Sequence, residues 1–123
     1  MTLIATQGKV VSDVLAHEYD PSSAYCREMV SVTVVAGMKI GSVVTAAGVL
    51  VVVATTAQAS FVVIDESVKD LAPGAASLLC LARGPVKLKD SGLQYGADIT
   101  TAPQKAAVAV VLAAKGLLVD PTI

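Results

Sequence analysis

The chain has 123 residues, nine basic and ten acidic, for a formal net charge of −1. Hydrophobic residues make up 54% and charged residues 15%, which excludes the disordered class and suits one compact domain whose core needs no disulfide or metal. Without a Lys/Arg cluster there is no electrostatic footprint for a phosphate backbone, so direct nucleic-acid binding is not expected.

Residues 1–29 are the most polar and least periodic part, with Asp13, His17, Glu18, Asp20, Pro21, Ser22 and Ser23. They read as an extended arm crossing a surface, with one short extended piece at Lys9–Ser12. The body, residues 30–123, starts at Val30, where Val30, Val32 and Val34 alternate with Ser31 and Thr33 as a strand with one dry face. Gly37 and Gly41 bracket a turn before a short strand at Ser42–Thr45. The continuous apolar run Val49–Ala54 is expected to be a strand buried on both faces, and Phe61–Ile64 another. Ala72-Pro73-Gly74 is a loop, Ser77–Arg83 a strand, Gly84-Pro85 a break, and Val86–Lys89 a half-exposed strand.

One helix is expected, near residues 102–115. Thr101 and Gln104 have capping-box spacing, Pro103 falls in the first turn, and Gly116 is a natural stop. Its sequence is apolar almost all round, so sheet or neighbouring subunits should cover it. Leu117–Val119 can close as a last strand. Strands in series followed by one helix argue against an alternating α/β enzyme. The expected fold is mainly β with one C-terminal α-helix (α+β), a compact β-sandwich or barrel-like body preceded by the N-terminal arm.

No charged residue occurs from Ile40 to Ile64, a length that could span a bilayer. Turn formers and polar residues interrupt it, among them Gly41, Thr45, Gly48, Thr55 and Gln58, and no basic cluster flanks it. A membrane helix is therefore not expected. Met1-Thr2-Leu3 has no basic n-region, so no secretion signal is expected either.

Residue chemistry offers little for catalysis. His17 is the only histidine, and no convergent ligand set accompanies it. Arg27 could lower the thiol pKa of Cys26, but no base or oxyanion motif accompanies that pair. Cys80 lies in an apolar strand, where an inert buried thiol is usual. Asp65 and Glu66 are adjacent, and neighbouring strand residues point to opposite faces instead of across a cleft. There is no phosphate loop, nucleophile elbow or metal spacing. The chain is read as a non-enzyme without cofactor or metal. Lys9, Asp13, Arg27 and Glu28 give the arm a mixed charge suited to a partner surface.

Three stretches together resemble the phage head decoration protein family, the lambda-like capsid-stabilising proteins. The first is Val11-Ser12-Asp13-Val14-Leu15, then Glu18, Asp20-Pro21 and Tyr25-Cys26-Arg27-Glu28 leading into Val30-Ser31-Val32. The second is Gly37, Ile40-Gly41 and Val43-Val44. The third is Leu81 through Val86 with Ile99 through Ala107 and Gly116 through Val119. The chain departs from the family at Val49–Ala59, which lacks the usual turn, and at Cys26, where relatives carry Ser.

The resemblance implies a structural virion protein. It would bind the outer surface of the expanded capsid at three-fold and quasi-three-fold positions, as a homotrimer, and clamp neighbouring major capsid subunits. The arm is expected to order on binding and pair with capsid strands, through Lys9, Val10, Val11, Asp13, Val14, Leu15, Glu18, Tyr25, Arg27 and Glu28. The protein would be made in the host cytoplasm and end in the virion. The alternatives are a small β-rich protein- or metabolite-binding module and a cysteine-dependent enzyme using Cys26 and His17.

Overall fold

The computed structural model describes residues 11–20, 22 and 25–121. Within them, seven strands and one α-helix form an α+β fold built on two sheets.

The larger sheet contains β2 (Arg27–Val34), β3 (Val43–Thr45), β4 (Ala59–Val63) and β5 (Gly74–Leu81). All pairings are antiparallel, in the order β2-β5-β4-β3. The turn after β3 bends back against β2, where the Thr33 N–H donates to the Gly48 carbonyl at 2.9 Å. Gly48 is required there: its φ is +82°, and a Cβ would run into the Ser31 carbonyl. The sheet thus curls around an apolar interior of Val30, Val32, Val34, Val44, Val63, Leu78 and Cys80, with Met38 and Val68 packed in.

The smaller sheet has β1 (Leu15–Glu18), β6 (Val86–Lys89) and β7 (Leu117–Asp120) in the order β1-β6-β7. β1 runs antiparallel to β6, and β7 runs parallel to it. Parallel neighbours need a crossover connection, and α1 (Ala102–Ala113) lies within it. The main core lies between this sheet and the outer face of the larger one. Val43, Val62 and Leu81 share it with Val14, Val86, Leu88 and Leu117, and with Val108 and Leu112 from α1.

Two cores explain the apolar runs. Along β3, β4 and β5, Val43 and Val44, Val62 and Val63, and Leu81 and Cys80 divide between the two interiors. Those strands are therefore apolar on both faces, whereas β2 alternates because one face is wet.

The helix starts as its spacing requires. Thr101 Oγ1 accepts from the Gln104 N–H at 3.4 Å, and Gln104 Oε1 accepts from the Thr101 N–H at 3.1 Å. Within one chain only Val108 and Leu112 of α1 are buried, and Val110 is 71% exposed. The full cover expected for the helix is not provided by this chain alone.

Three local expectations are corrected. Val49–Ala54 is not a buried strand: Leu50 makes one isolated bridge to Val44, and a 3-10 turn follows at Val53–Gln58. Polar side chains take the N–H groups a ladder would need. The Val52 N–H donates to Thr55 Oγ1 at 3.0 Å and the Val53 N–H to Asp98 Oδ1 at 3.2 Å. Val49 and Val53 consequently stand in solvent. Second, Val11–Asp13 is a 3-10 turn where an extended piece at Lys9–Ser12 was expected; Lys9 and Val10 lie outside the described residues. Third, β5 begins at Gly74 and ends at Leu81, short of Arg83.

The structure also draws the second half of the arm into the body. β1 is a member of the smaller sheet, Val14 is fully buried, and β2 begins at Arg27, ahead of Val30. No helix among the described residues is long and apolar enough to cross a membrane.

Candidate interaction surface

Where β1 ends and β2 begins, an ion pair joins the two sheets. Glu18 is nearly sealed from water, with its side chain 3% exposed. Both its oxygens accept from Arg27, with Nε at 2.9 Å from Oε2 and Nη2 at 2.7 Å from Oε1. The two-pronged geometry matches a planar guanidinium to a carboxylate, and the Glu18 hydrogen bond raises the Arg27 pKa above its ordinary value. Arg27 and Glu18, both expected among the partner-contacting residues, pair with each other and tie β1 to β2.

Aromatic side chains cluster around this joint. Tyr19 and Tyr25 meet edge to face with ring centroids 6.1 Å apart. The Arg83 guanidinium lies 5.5 Å from the Tyr25 ring centroid, donates to the Tyr25 carbonyl, and pairs with Glu28 at 2.8 Å. The rings remain in solvent: Tyr19 is 52% and Tyr25 54% exposed. Met29, two residues into β2, is 57% exposed. Two of the chain's three tyrosines are thus held at one spot.

The other expected contact residues divide by burial. Val14 is fully buried, Val11 and Leu15 are half-buried against the main core, and Asp13, Tyr25 and Glu28 lie at the surface. The Val11 N–H donates to Glu66 Oε2 at 3.1 Å, which ties the start of the described chain to the body. Sequence reasoning missed Tyr19 and Arg83 as surface partners of Tyr25. The scarcity of aromatic residues, with two of them flanking Pro21, is the signal that could have found the cluster.

The remaining reactive side chains are placed apart. His17 is exposed on β1, whereas Cys26 is buried in the main core and its thiol lies 3.6 Å from the Tyr19 carbonyl. Cys80 is buried among apolar residues, and burial, with added repulsion from Asp65 and Glu28, pushes its thiol up to about 12. Both cysteines are free. Asp65 starts a 3-10 turn at Glu66–Asp70, and hydrogen bonds from Ser67 hold its carboxyl below the usual range. Among the described residues, no three His, Cys, Asp or Glu side chains gather as a metal site.

A cleft of about 490 Å³ opens beside α1 and the end of β7, lined by Asp90, Lys105, Ala106, Ala109, Val119 and Pro121 among others. It lies at the Lys89–Asp120 end of the smaller sheet, while the tyrosine cluster lies at the Val86 end, where Glu18 pairs.

No family model, curated protein or solved structure was found to match this chain.

Proposed function

We propose that this chain is a structural virion protein that decorates the outer surface of an expanded phage capsid. It sits at three-fold and quasi-three-fold positions as a homotrimer and clamps neighbouring major capsid subunits, with no reaction, cofactor, nucleic acid or membrane involved. The observation that carries the reading is the half-exposed Tyr19–Tyr25–Arg83 cluster. Tyr and Arg are among the side chains that dominate binding energy at protein interfaces, and a cluster whose rings already pack on each other and on Arg83 loses little freedom on docking. The sequence resemblance supplies the shell as the partner. Residues 1–10 supply a second contact, and three copies on one trimer multiply a modest affinity by about 10²–10⁴.

Co-sedimentation with expanded and unexpanded shells tests the reading. The protein is expected to pellet with expanded shells at saturating stoichiometry and to stay in the supernatant with unexpanded ones. Equal partition in both, or none in either, contradicts it.

A second reading rests on the cleft beside α1, whose size is within the range of small-molecule sites. It makes the chain a small β-rich binding module. It requires a monomer whose melting temperature rises with a small ligand, and whose response is lost in Lys105→Ala.

A further inference from the structure

The outer edge of β2 carries an inference about how the body, apart from residues 1–10, is held. Backbone N–H and C=O groups of a strand point alternately to its two sides. The Cys26 carbonyl accepts from Ala82 at 2.8 Å, so even-numbered positions of β2 face β5. The Thr33 N–H turns the other way, toward Gly48. Arg27, Met29 and Ser31 share its direction. β2 ends the strand order, and among the described residues no strand pairs with this side of it. The Gly48 turn covers the edge at Thr33 and reaches the Ser31 carbonyl. From Arg27 to the Ser31 N–H no backbone partner is found on this edge among the described residues.

Open edges are ordinarily blunted by proline, an inward-pointing charge or a bulge. The Arg27–Ser31 stretch has no proline, and its register with β5 is unbroken. Its charges are neutralised within the chain: Arg27 by Glu18, and Glu28 by Arg83. The side chain presented midway is Met29, whose flexible thioether adapts to varied apolar neighbours. Such an edge fits an extended backbone with an uncharged, apolar side chain opposite Met29. It offers nothing specific to a charged ligand.

We infer that the Arg27–Ser31 edge of β2 accepts one strand of the shell subunit, extending the larger sheet across the boundary between the two proteins. This rests on the decoration reading and deepens it: the body receives a strand. Main-chain hydrogen bonds give the affinity, and the exposed Met29 selects the apolar side chain.

The test separates backbone from side chain at one position. Met29→Pro removes the outward N–H and leaves the ladder to β5 intact, since that N–H does not face β5. Met29→Ala keeps the N–H and removes the thioether. Both variants are compared with the unmodified full chain for pelleting with expanded shells, with melting temperatures recorded alongside. The expected result is a loss of at least tenfold in shell affinity for Met29→Pro, and a smaller loss for Met29→Ala. A third measurement covers the case in which the proline variant unfolds: amide hydrogen exchange of the unmodified chain. The Met29 and Ser31 amides are expected to slow on shell binding.

Shell binding with unchanged exchange at Met29 and Ser31 overturns the inference and leaves the decoration reading standing. So does a folded Met29→Pro that binds as the unmodified chain does. A Met29→Pro effect confined to self-association, seen by sedimentation without shells, assigns the edge to a second copy and also overturns it. Failure of the unmodified chain to bind any shell overturns both.

Discussion

A carboxylate taken out of water needs a partner, and Glu18 finds it in the fork of Arg27. Losing one member of such a pair costs more than replacing both, because the survivor is left buried and charged. Arg27→Ala is therefore expected to destabilise the chain by about 2–4 kcal/mol, the lower part of the range reflecting the partial exposure of Arg27. The double variant Glu18→Leu with Arg27→Met should lose less than Arg27→Ala alone. Urea unfolding of the three proteins measures both differences. A double variant less stable than the single one would show that the pair contributes net stability beyond avoiding an orphaned charge. The sequence presented Arg27 and Glu28 as a mixed-charge surface, because nothing in the spacing of Glu18 and Arg27 announces that β1 and β2 converge. That convergence depends on β1 joining β6, a pairing between distant parts of the chain.

At the scale of elements, helix and strand differed in how openly they declared themselves. The helix was readable because its determinants are local: Thr101 and Gln104 cap it, Pro103 starts it and Gly116 follows it. β2 was readable from alternation, since one face of it is wet. Val49–Ala54 misled because an apolar run looks the same whether it is buried or standing in solvent. Its fate was decided by Thr55 and by Asp98, one of them remote in sequence. β1 was hidden for the opposite reason: Leu15–Glu18 is short and half polar, and only its partner β6 makes it a strand.

This placement of β1 carries a prediction about truncation. A chain starting at Val11 keeps Val14, β1 and the Glu18–Arg27 pair, and is expected to fold with a melting temperature within a few degrees of the full chain. A chain starting at Val30 loses all of these, along with buried Cys26, and is expected to lose cooperative unfolding. Circular dichroism melts distinguish the two. A cooperative transition in the shorter chain would mean that the smaller sheet does not depend on β1.

At the scale of the whole molecule, the proposed function draws on two exposed surfaces among the described residues. One is the tyrosine cluster with the outer edge of β2. The other is the outer side of α1 with the cleft beside it, where Val110 stands in solvent. Apolar surface of this kind on a chain of low net charge has little electrostatic repulsion to keep copies apart. It suits a protein that spends its working life assembled. Composition alone suggested part of the surface would be covered in an assembly, but not which faces are exposed, since burial is fixed by tertiary pairing.

The account stands on the idea that binding makes a shell harder to break. The direct measurement is the disruption temperature of expanded, DNA-free shells by scanning calorimetry, with and without saturating protein. A higher shell transition with the protein bound is the predicted result. An unchanged transition on fully decorated shells would contradict it.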